Sequence, residues 1–128
     1  MRTREIPIQQ WHLFFSDFTL LHQSQHVDVE TLSGGDFGAL SRVSDMPLVG
    51  IILADAKPEN TGGRIDVIAG ETPDHRATCT IDHPSRVYLA EEDNGQTIAL
   101  QVTSAEGNMT MVRFGAASAG LPEGFLVA

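Results

Sequence analysis

The hydrophobic pattern of the chain changes period once, near residue 25, and this change limits the folds open to it. Before that point, apolar residues recur at the three- and four-residue spacing of one helical face: Trp11, Phe14, Phe15, Phe18 and Leu21. Pro7 precedes them, and proline suits the first turn of a helix because its missing N–H would be unpaired there. We therefore predict a helix over about residues 7–22 that docks on the rest of the chain through its aromatic face.

Beyond residue 25, apolar and polar residues alternate as they do in half-buried strands, first in "HVDVETL" and later in "RIDVIAG". Pro47 breaks "ALSRVSDMPLVGIILADA" into two predicted strands. An Asn94-Gly95 turn joins "RVYLAEED" to "QTIALQV", which is a strong hairpin signal, and "MTMVRF" follows after a further turn. These segments predict consecutive antiparallel strands between residues 86 and 114.

One helix followed by about six or seven short strands predicts an α+β domain, in which an N-terminal helix packs on a curved antiparallel sheet or a small β-barrel. We assign residues 1–114 to this single α+β domain and residues 115–128 to a C-terminal tail. The tail ends in the apolar "GFLVA", so we expect it to pack on the domain or on a partner. Strands do not alternate with helices, and no glycine-rich phosphate-binding motif is present, which disfavours a nucleotide-binding α/β fold.

The charge balance disfavours several classes of partner. Seventeen acidic and eight basic residues give a formal net charge of -9, which repels phosphate backbones and acidic membrane surfaces.

No apolar run approaches the roughly 20 residues that span a bilayer, and the N-terminus lacks the pattern of a signal peptide. The single cysteine cannot form an internal disulfide. We expect a cytoplasmic protein with no nucleic-acid partner and no membrane association.

Four stretches together cover most of the chain and carry a family resemblance: "IPIQQWHLFFSDFT", "DFGALSRVSDMPLVGI", "IDHPSRVYL" and "ALQVTSAEGNMTMVRF". They resemble a family of small bacterial proteins that is grouped as a domain of unknown function. The resemblance implies a shared α+β architecture and assigns no catalytic residue. Members of that family carry Asn before the proline where this chain has His83, so the resemblance implies that His83 is not an essential ligand.

The segment "DHRATCTIDHPSR" is the most site-like in the sequence, because His75 and His83 flank Cys79 at four-residue spacing. Strand-forming residues surround Cys79, and positions four apart on a strand lie roughly 13 Å apart, too far for one metal ion. Cys79 shares its strand face with apolar neighbours, which indicates an inert thiol. We therefore predict no metal site, no cofactor and no catalytic residue here.

The composition and pattern favour a non-enzymatic domain that acts by binding, either as a homodimer or with another protein as its partner. The first alternative is a small-molecule-binding or enzymatic pocket between the helix and the sheet. Its predicted rim is formed by Trp11, His12, His22 and His83. The second alternative is an Sm-like barrel that binds RNA, which the order of elements favours and the net charge disfavours.

Overall fold

One helix and eight antiparallel strands make up the part of the chain that the computed structural model describes, which is residues 2–32, 39–54 and 63–114. A 3-10 turn over Ile8–Gln10 leads directly into helix α1, Trp11–His22. The strands are β1 (Arg2–Glu5), β2 (His26–Leu32), β3 (Ala39–Ala54), β4 (Arg64–Gly70), β5 (Arg76–Asp82), β6 (Pro84–Glu91), β7 (Thr97–Ser104) and β8 (Met109–Phe114). The expected α+β class, with an N-terminal helix on an antiparallel sheet, is confirmed.

The strands follow the order β1-β6-β7-β8-β2-β3-β4-β5, and each neighbouring pair is antiparallel. The sheet formed by the described strands is not closed, because β1 and β5 are its two edges. The prediction allowed either an antiparallel sheet or a small barrel, and the described strands form the sheet. The Sm-like alternative requires a barrel. The sequence predicted six or seven strands, and β1 is the additional one. All of its residues are exposed, so it has no apolar alternation from which it could be predicted.

Strand β3 changes partner at Pro47, where the sequence predicted a break. Its first half pairs with β2 as far as Pro47, and its second half pairs with β4 from Leu48 onward. Asp45, just before the change, has a left-handed backbone with φ of 53°. Apolar residues from both parts of the sheet share one buried core, so the bend in β3 lets β3–β5 face the remaining strands.

Helix α1 packs against the second half of β3, along the edge where β3 no longer pairs with β2. The Thr19 hydroxyl accepts a hydrogen bond from the N–H of Ile51 at 3.0 Å and donates one to its carbonyl at 3.1 Å. In the turn after the helix, the N–H of Ser24 donates to the Leu48 carbonyl and the N–H of Leu48 donates to the Gln25 carbonyl, both at 2.8 Å. The helix and its turn thus satisfy backbone groups of β3 that would otherwise lack a strand partner.

The predicted apolar face of α1 is buried in part: three of its five residues are buried, whereas Phe14 is half-buried and Leu21 is exposed. Trp11, Phe15 and Phe18 lie in the main core, and the Trp11 indole N–H donates to the Ile6 carbonyl at 2.8 Å. The N–H of Ile6 in turn donates to the Val87 carbonyl at 2.8 Å, which ties the chain before the helix to β6. The start of the helix is therefore fixed on the sheet by buried hydrogen bonds as well as by apolar packing.

Candidate functional site

An open cleft of about 840 Å³ lies between α1 and the hairpin that joins β6 to β7. We call it the helix–hairpin cleft. Its floor is apolar and is formed by Phe14, Phe18, Leu89 and Phe114, with Leu21 at its lip. Its rim is polar and includes Arg4, Asp17, His22, Gln25, His26, Glu91, Gln96 and Thr97. Ligand sites in proteins are commonly clefts of about 300–1,000 Å³ with an apolar lining and a few polar groups, so this cleft has the dimensions and composition of such a site.

His22 is fixed in the wall of the cleft by aromatic packing and by both of its ring nitrogens. Its ring centroid lies 4.4 Å from that of Phe18 and 4.9 Å from that of Phe114. Nδ1 is 2.8 Å from Gln25 Oε1, and Nε2 is 3.2 Å from Thr97 Oγ1. A neutral imidazole protonated on Nδ1 satisfies both bonds, with the Thr97 hydroxyl donating to Nε2. The pair His22 and Thr97 therefore holds the helix and the hairpin at a set separation.

Most charged groups around the cleft are already paired. The Arg4 Nε donates to Glu91 Oε1 at 3.2 Å, and Arg2 lies 3.8 Å from the same oxygen. His26 Nδ1 is 2.8 Å from Asp45 Oδ1. Asp17 is exposed on α1 and has no hydrogen bond or ion pair with any other residue in the described ranges. Asp17 is thus the charged group of the cleft that is left to meet a ligand.

The residues predicted for a pocket rim are distributed over separate surfaces. Of them, His22 lines the helix–hairpin cleft. Trp11 is only 4% exposed and lines a different groove of about 420 Å³, which it shares with His83. His12 is exposed and lines a third depression of about 350 Å³ between α1 and β3. The structure therefore brings Trp11 and His83 together and separates both from His12 and His22.

His83 occupies the turn between β5 and β6, with a left-handed φ of 53° that non-glycine residues seldom adopt. Its side chain is 61% exposed, and Nδ1 lies 2.8 Å from Glu106 Oε1. The N–H of Ala105 donates to the His83 carbonyl at 2.8 Å. The hydrogen bond from His83 lowers the pKa of Glu106 below its usual value of 4.5. This pair links two turns of the sheet at its surface.

Of the two histidines and the cysteine of "DHRATCTIDHPSR", His83 and Cys79 line one depression of about 360 Å³, and His75 lies outside it. His75 Nδ1 lies 3.1 Å from Thr72 Oγ1 within its own turn. The Cys79 thiol is buried in the main core, and Cys79 pairs with Val67 of β4 in the sheet. Within residues 2–32, 39–54 and 63–114, no three His, Cys, Asp or Glu side chains are grouped as a metal site requires.

Several residues of the cleft carried no functional signal in the sequence. Asp17 appeared only as one polar position of an aromatic helix, and Thr97 only as the second residue after a hairpin turn. His22 and Thr97 are 75 residues apart in the chain. Their contact depends on the strand order, which places β6 and β7 beside the helix, and no local pattern encodes that order.

Comparison with known proteins gives a family and nothing closer. No helix in the described part of the chain is long and apolar enough to cross a membrane. Neither the curated proteins nor the solved structures contain a match to this sequence. The model of a family of unknown function, DUF5335, matches residues 2–123, which is nearly the whole chain. The family resemblance seen in the sequence is thereby confirmed, and the chain belongs to this family of unknown function, DUF5335.

Proposed function

We propose that this domain binds a small organic molecule in the helix–hairpin cleft. The observation that carries the proposal is the combination of a concave volume of about 840 Å³, an apolar floor and a polar rim in one place. A ligand that covers the floor removes apolar surface from water, at a gain of roughly 25 cal/mol per Å². The polar rim then fixes the orientation of the ligand.

The apolar surface that the cleft offers to a ligand is mainly that of Leu21 and Phe14, because the other apolar lining residues are at most 5% exposed. Leu21 stands at the lip with 73% of its surface exposed, and the Phe14 ring beside it is half-buried. Phe14 lies 5.3 Å from Phe18 between ring centroids, so the two rings extend the floor from the lip inward. Exposed apolar groups next to a concavity are typical of binding surfaces.

The walls of the cleft are held in place before any ligand arrives. The His22 and Thr97 contact joins the helix to β7, and the Arg4 and Glu91 ion pair joins β1 to β6. A preformed site loses little conformational entropy on binding, which favours affinity. The geometry therefore supports recognition of a ligand by a largely fixed surface.

A pair of adjacent leucines provides a matched test. Leu21 lines the cleft and is 73% exposed, whereas Leu20 is 74% exposed on another side of the helix and does not line it. We expect a neutral aromatic probe, 2-phenylethanol, to shift backbone amide NMR signals of cleft residues. Leu21→Gln should weaken that binding about fivefold, because about 1 kcal/mol of apolar contact is lost. Leu20→Gln should leave it unchanged.

Equal effects of the two substitutions would contradict the proposal, since they would show that the probe binds the helix surface in general. Absence of any shift at cleft residues up to the solubility limit of the probe would contradict it as well. Gln has a helix propensity close to that of Leu, so both variants retain α1 and differ in which surface they alter.

Self-association is a second candidate function, favoured by the outer face of α1. Leu13 and Leu20 are 67% and 74% exposed, and Ile52 of β3, which is also exposed, lines the same depression as Leu20. Leu13 and Leu20 are seven residues apart, about two helical turns, and so lie on one side of the helix. Asp17 is the single Asp, Glu, Lys or Arg in α1. A twofold contact brings identical groups together, so a face with few charges suits a second copy of this acidic chain.

Analytical ultracentrifugation separates this candidate from the ligand cleft. If two copies meet through the outer helix face, Leu20→Gln should weaken the dimer and Leu21→Gln should have a smaller effect, the reverse of their expected effects on the probe. A sedimentation coefficient that stays at the monomer value across micromolar to millimolar concentrations would exclude the dimer.

A further inference from the structure

We infer that the helix–hairpin cleft selects small organic cations, in which an ammonium group is attached to a flat apolar body. This inference rests on the proposed ligand-binding function and adds the chemical class of the ligand. It follows from the charges that remain available at the rim and from the aromatic groups beside them.

Arg4, which lines the cleft, and Arg2, on the same strand, both pair with Glu91. Arg4 Nε lies 3.2 Å and Arg2 Nη2 lies 3.8 Å from the same Glu91 oxygen, and the Glu91 side chain is only 13% exposed. An anionic ligand at the remaining N–H groups of Arg4 would lie close to the Glu91 carboxylate, which repels it. The cleft therefore offers little to a carboxylate or a phosphate, and the net charge of -9 adds long-range repulsion.

Asp17 offers the opposite: an exposed carboxylate at the rim, without a hydrogen bond or ion pair to another described residue. Phe14 precedes it by one helical turn and Leu21 follows it by one, so all three lie on neighbouring positions of the same helix face. An ammonium group placed over the open side of the Phe14 ring would lie near the Asp17 carboxylate. It would gain both a cation–π contact and a charge pair.

The remainder of the floor suits an apolar, flat body. Phe18 and Phe114 meet edge to face with centroids 5.6 Å apart, and Leu89 lies beside them. Aromatic rings pack well against such surfaces in offset or edge arrangements. An aromatic amine could thus cover the apolar floor with its ring while its ammonium group reaches Asp17 at the lip.

Three probes of nearly equal size test the inference: 2-phenylethylamine, 2-phenylethanol and phenylacetate, which are cationic, neutral and anionic near neutral pH. Each is titrated into the full chain and followed by the amide NMR signals of cleft residues. We expect the amine to bind about tenfold more tightly than the alcohol, as a partly desolvated cation–π contact and a charge pair together allow. The carboxylate should bind most weakly, and added NaCl should reduce the preference for the amine.

Asp17→Asn should bring the affinities for the amine and the alcohol together and leave that for the alcohol unchanged. Asp74→Asn is the matched control, because Asp74 is exposed in the turn before β5 and lies outside the cleft. This substitution removes the same charge from the protein without altering the site. A preference for the amine that is retained in Asp17→Asn would overturn the role of Asp17.

The outcomes distinguish this inference from the proposed function. If the alcohol and the amine bind the cleft equally, or if phenylacetate binds best, selection for cations is wrong and ligand binding in the cleft stands. If none of the three probes shifts cleft signals, both are wrong. Tenfold preference for the amine that is lost specifically in Asp17→Asn supports both.

Discussion

The hydroxyl of Thr19 bonds both backbone groups of Ile51, accepting from its N–H at 3.0 Å and donating to its carbonyl at 3.1 Å. A side chain of the helix thereby supplies the hydrogen bonds that a neighbouring strand would supply where β3 no longer pairs with β2. Since Ile51 is buried, neither backbone group has easy access to water if the hydroxyl is removed. The position of α1 over the sheet, and with it one wall of the cleft, depends on this contact.

Thr19→Val tests this contact because the two side chains have almost the same shape. The substitution leaves the N–H and the carbonyl of Ile51 unpaired and should lower the free energy of unfolding by about 1–3 kcal/mol. Urea titration followed by Trp11 fluorescence measures it. Thr78→Val, at an exposed position of the edge strand β5, should stay within about 0.5 kcal/mol of the parent. Equal stabilities of the two variants would show that the hydroxyl contributes nothing.

Gly50 gives a second test of the same interface. A Cβ at this position would lie 3.1 Å from Thr19 Cγ2, so the Thr19 side chain or the backbone beside it would have to shift by a few tenths of an ångström. Gly50→Ala should cost about 1–3 kcal/mol of stability. Thr19→Ser removes Cγ2 and keeps the hydroxyl, so Gly50→Ala should cost less in that background, with a coupling energy of at least about 0.5 kcal/mol. Additive effects in the double-mutant cycle would contradict the close approach.

The Trp11 indole anchors the start of the helix through its bond to the Ile6 carbonyl at 2.8 Å. Trp11→Phe retains an aromatic ring but removes the donor and leaves a small cavity, so we expect a loss of about 2–4 kcal/mol. Because the substitution removes the fluorophore, far-ultraviolet circular dichroism should follow the unfolding. His12→Gln, at the next and exposed position, is the control and should have little effect.

The His83 and Glu106 pair should make stability depend on pH in a defined direction. The pKa of Glu106 is lowered in the folded state, mainly by the hydrogen bond from His83, so its contribution is present above the usual value of 4.5 and is lost as the pH falls through the lowered value. Glu106→Gln should therefore be less stable than the parent at about pH 6 and approach it at about pH 3. Glu71→Gln, at an exposed turn, should show no such convergence. A difference between Glu106→Gln and the parent that grows towards low pH would have the wrong sign for this account.

Local patterns were sufficient for most elements of the fold. The aromatic spacing predicted a helix that ends at His22, and Asn94-Gly95 predicted the hairpin between β6 and β7, which has Gly95 at φ of 89°. Strand β1 could not be predicted, because an edge strand with exposed side chains on both faces has no apolar alternation. From the sequence, Pro47 indicated only a break within this segment. It could not indicate that β3 changes its partner from β2 to β4 there, because distant segments determine strand pairing.

The candidate site was less accessible to sequence reasoning than the fold. Trp11, His12, His22 and His83 were grouped as a rim because their residue types suit a pocket, yet only His22 lines the helix–hairpin cleft. A one-residue difference along α1 is enough to turn a side chain to another surface, and His83 lies in a turn that meets the opposite end of the helix, near Trp11. The sequence could indicate a helix–sheet junction, but the strand order determines which residues meet across it.

Ligand binding in the helix–hairpin cleft is tested most directly by intermolecular NOEs between 2-phenylethylamine and the protein. The account predicts NOEs from the ring protons of the probe to the side chains of Phe14, Phe18 and Phe114. NOEs confined to Leu20 and Ile52, or to the groove beside Trp11, would place the probe on another surface and contradict the account.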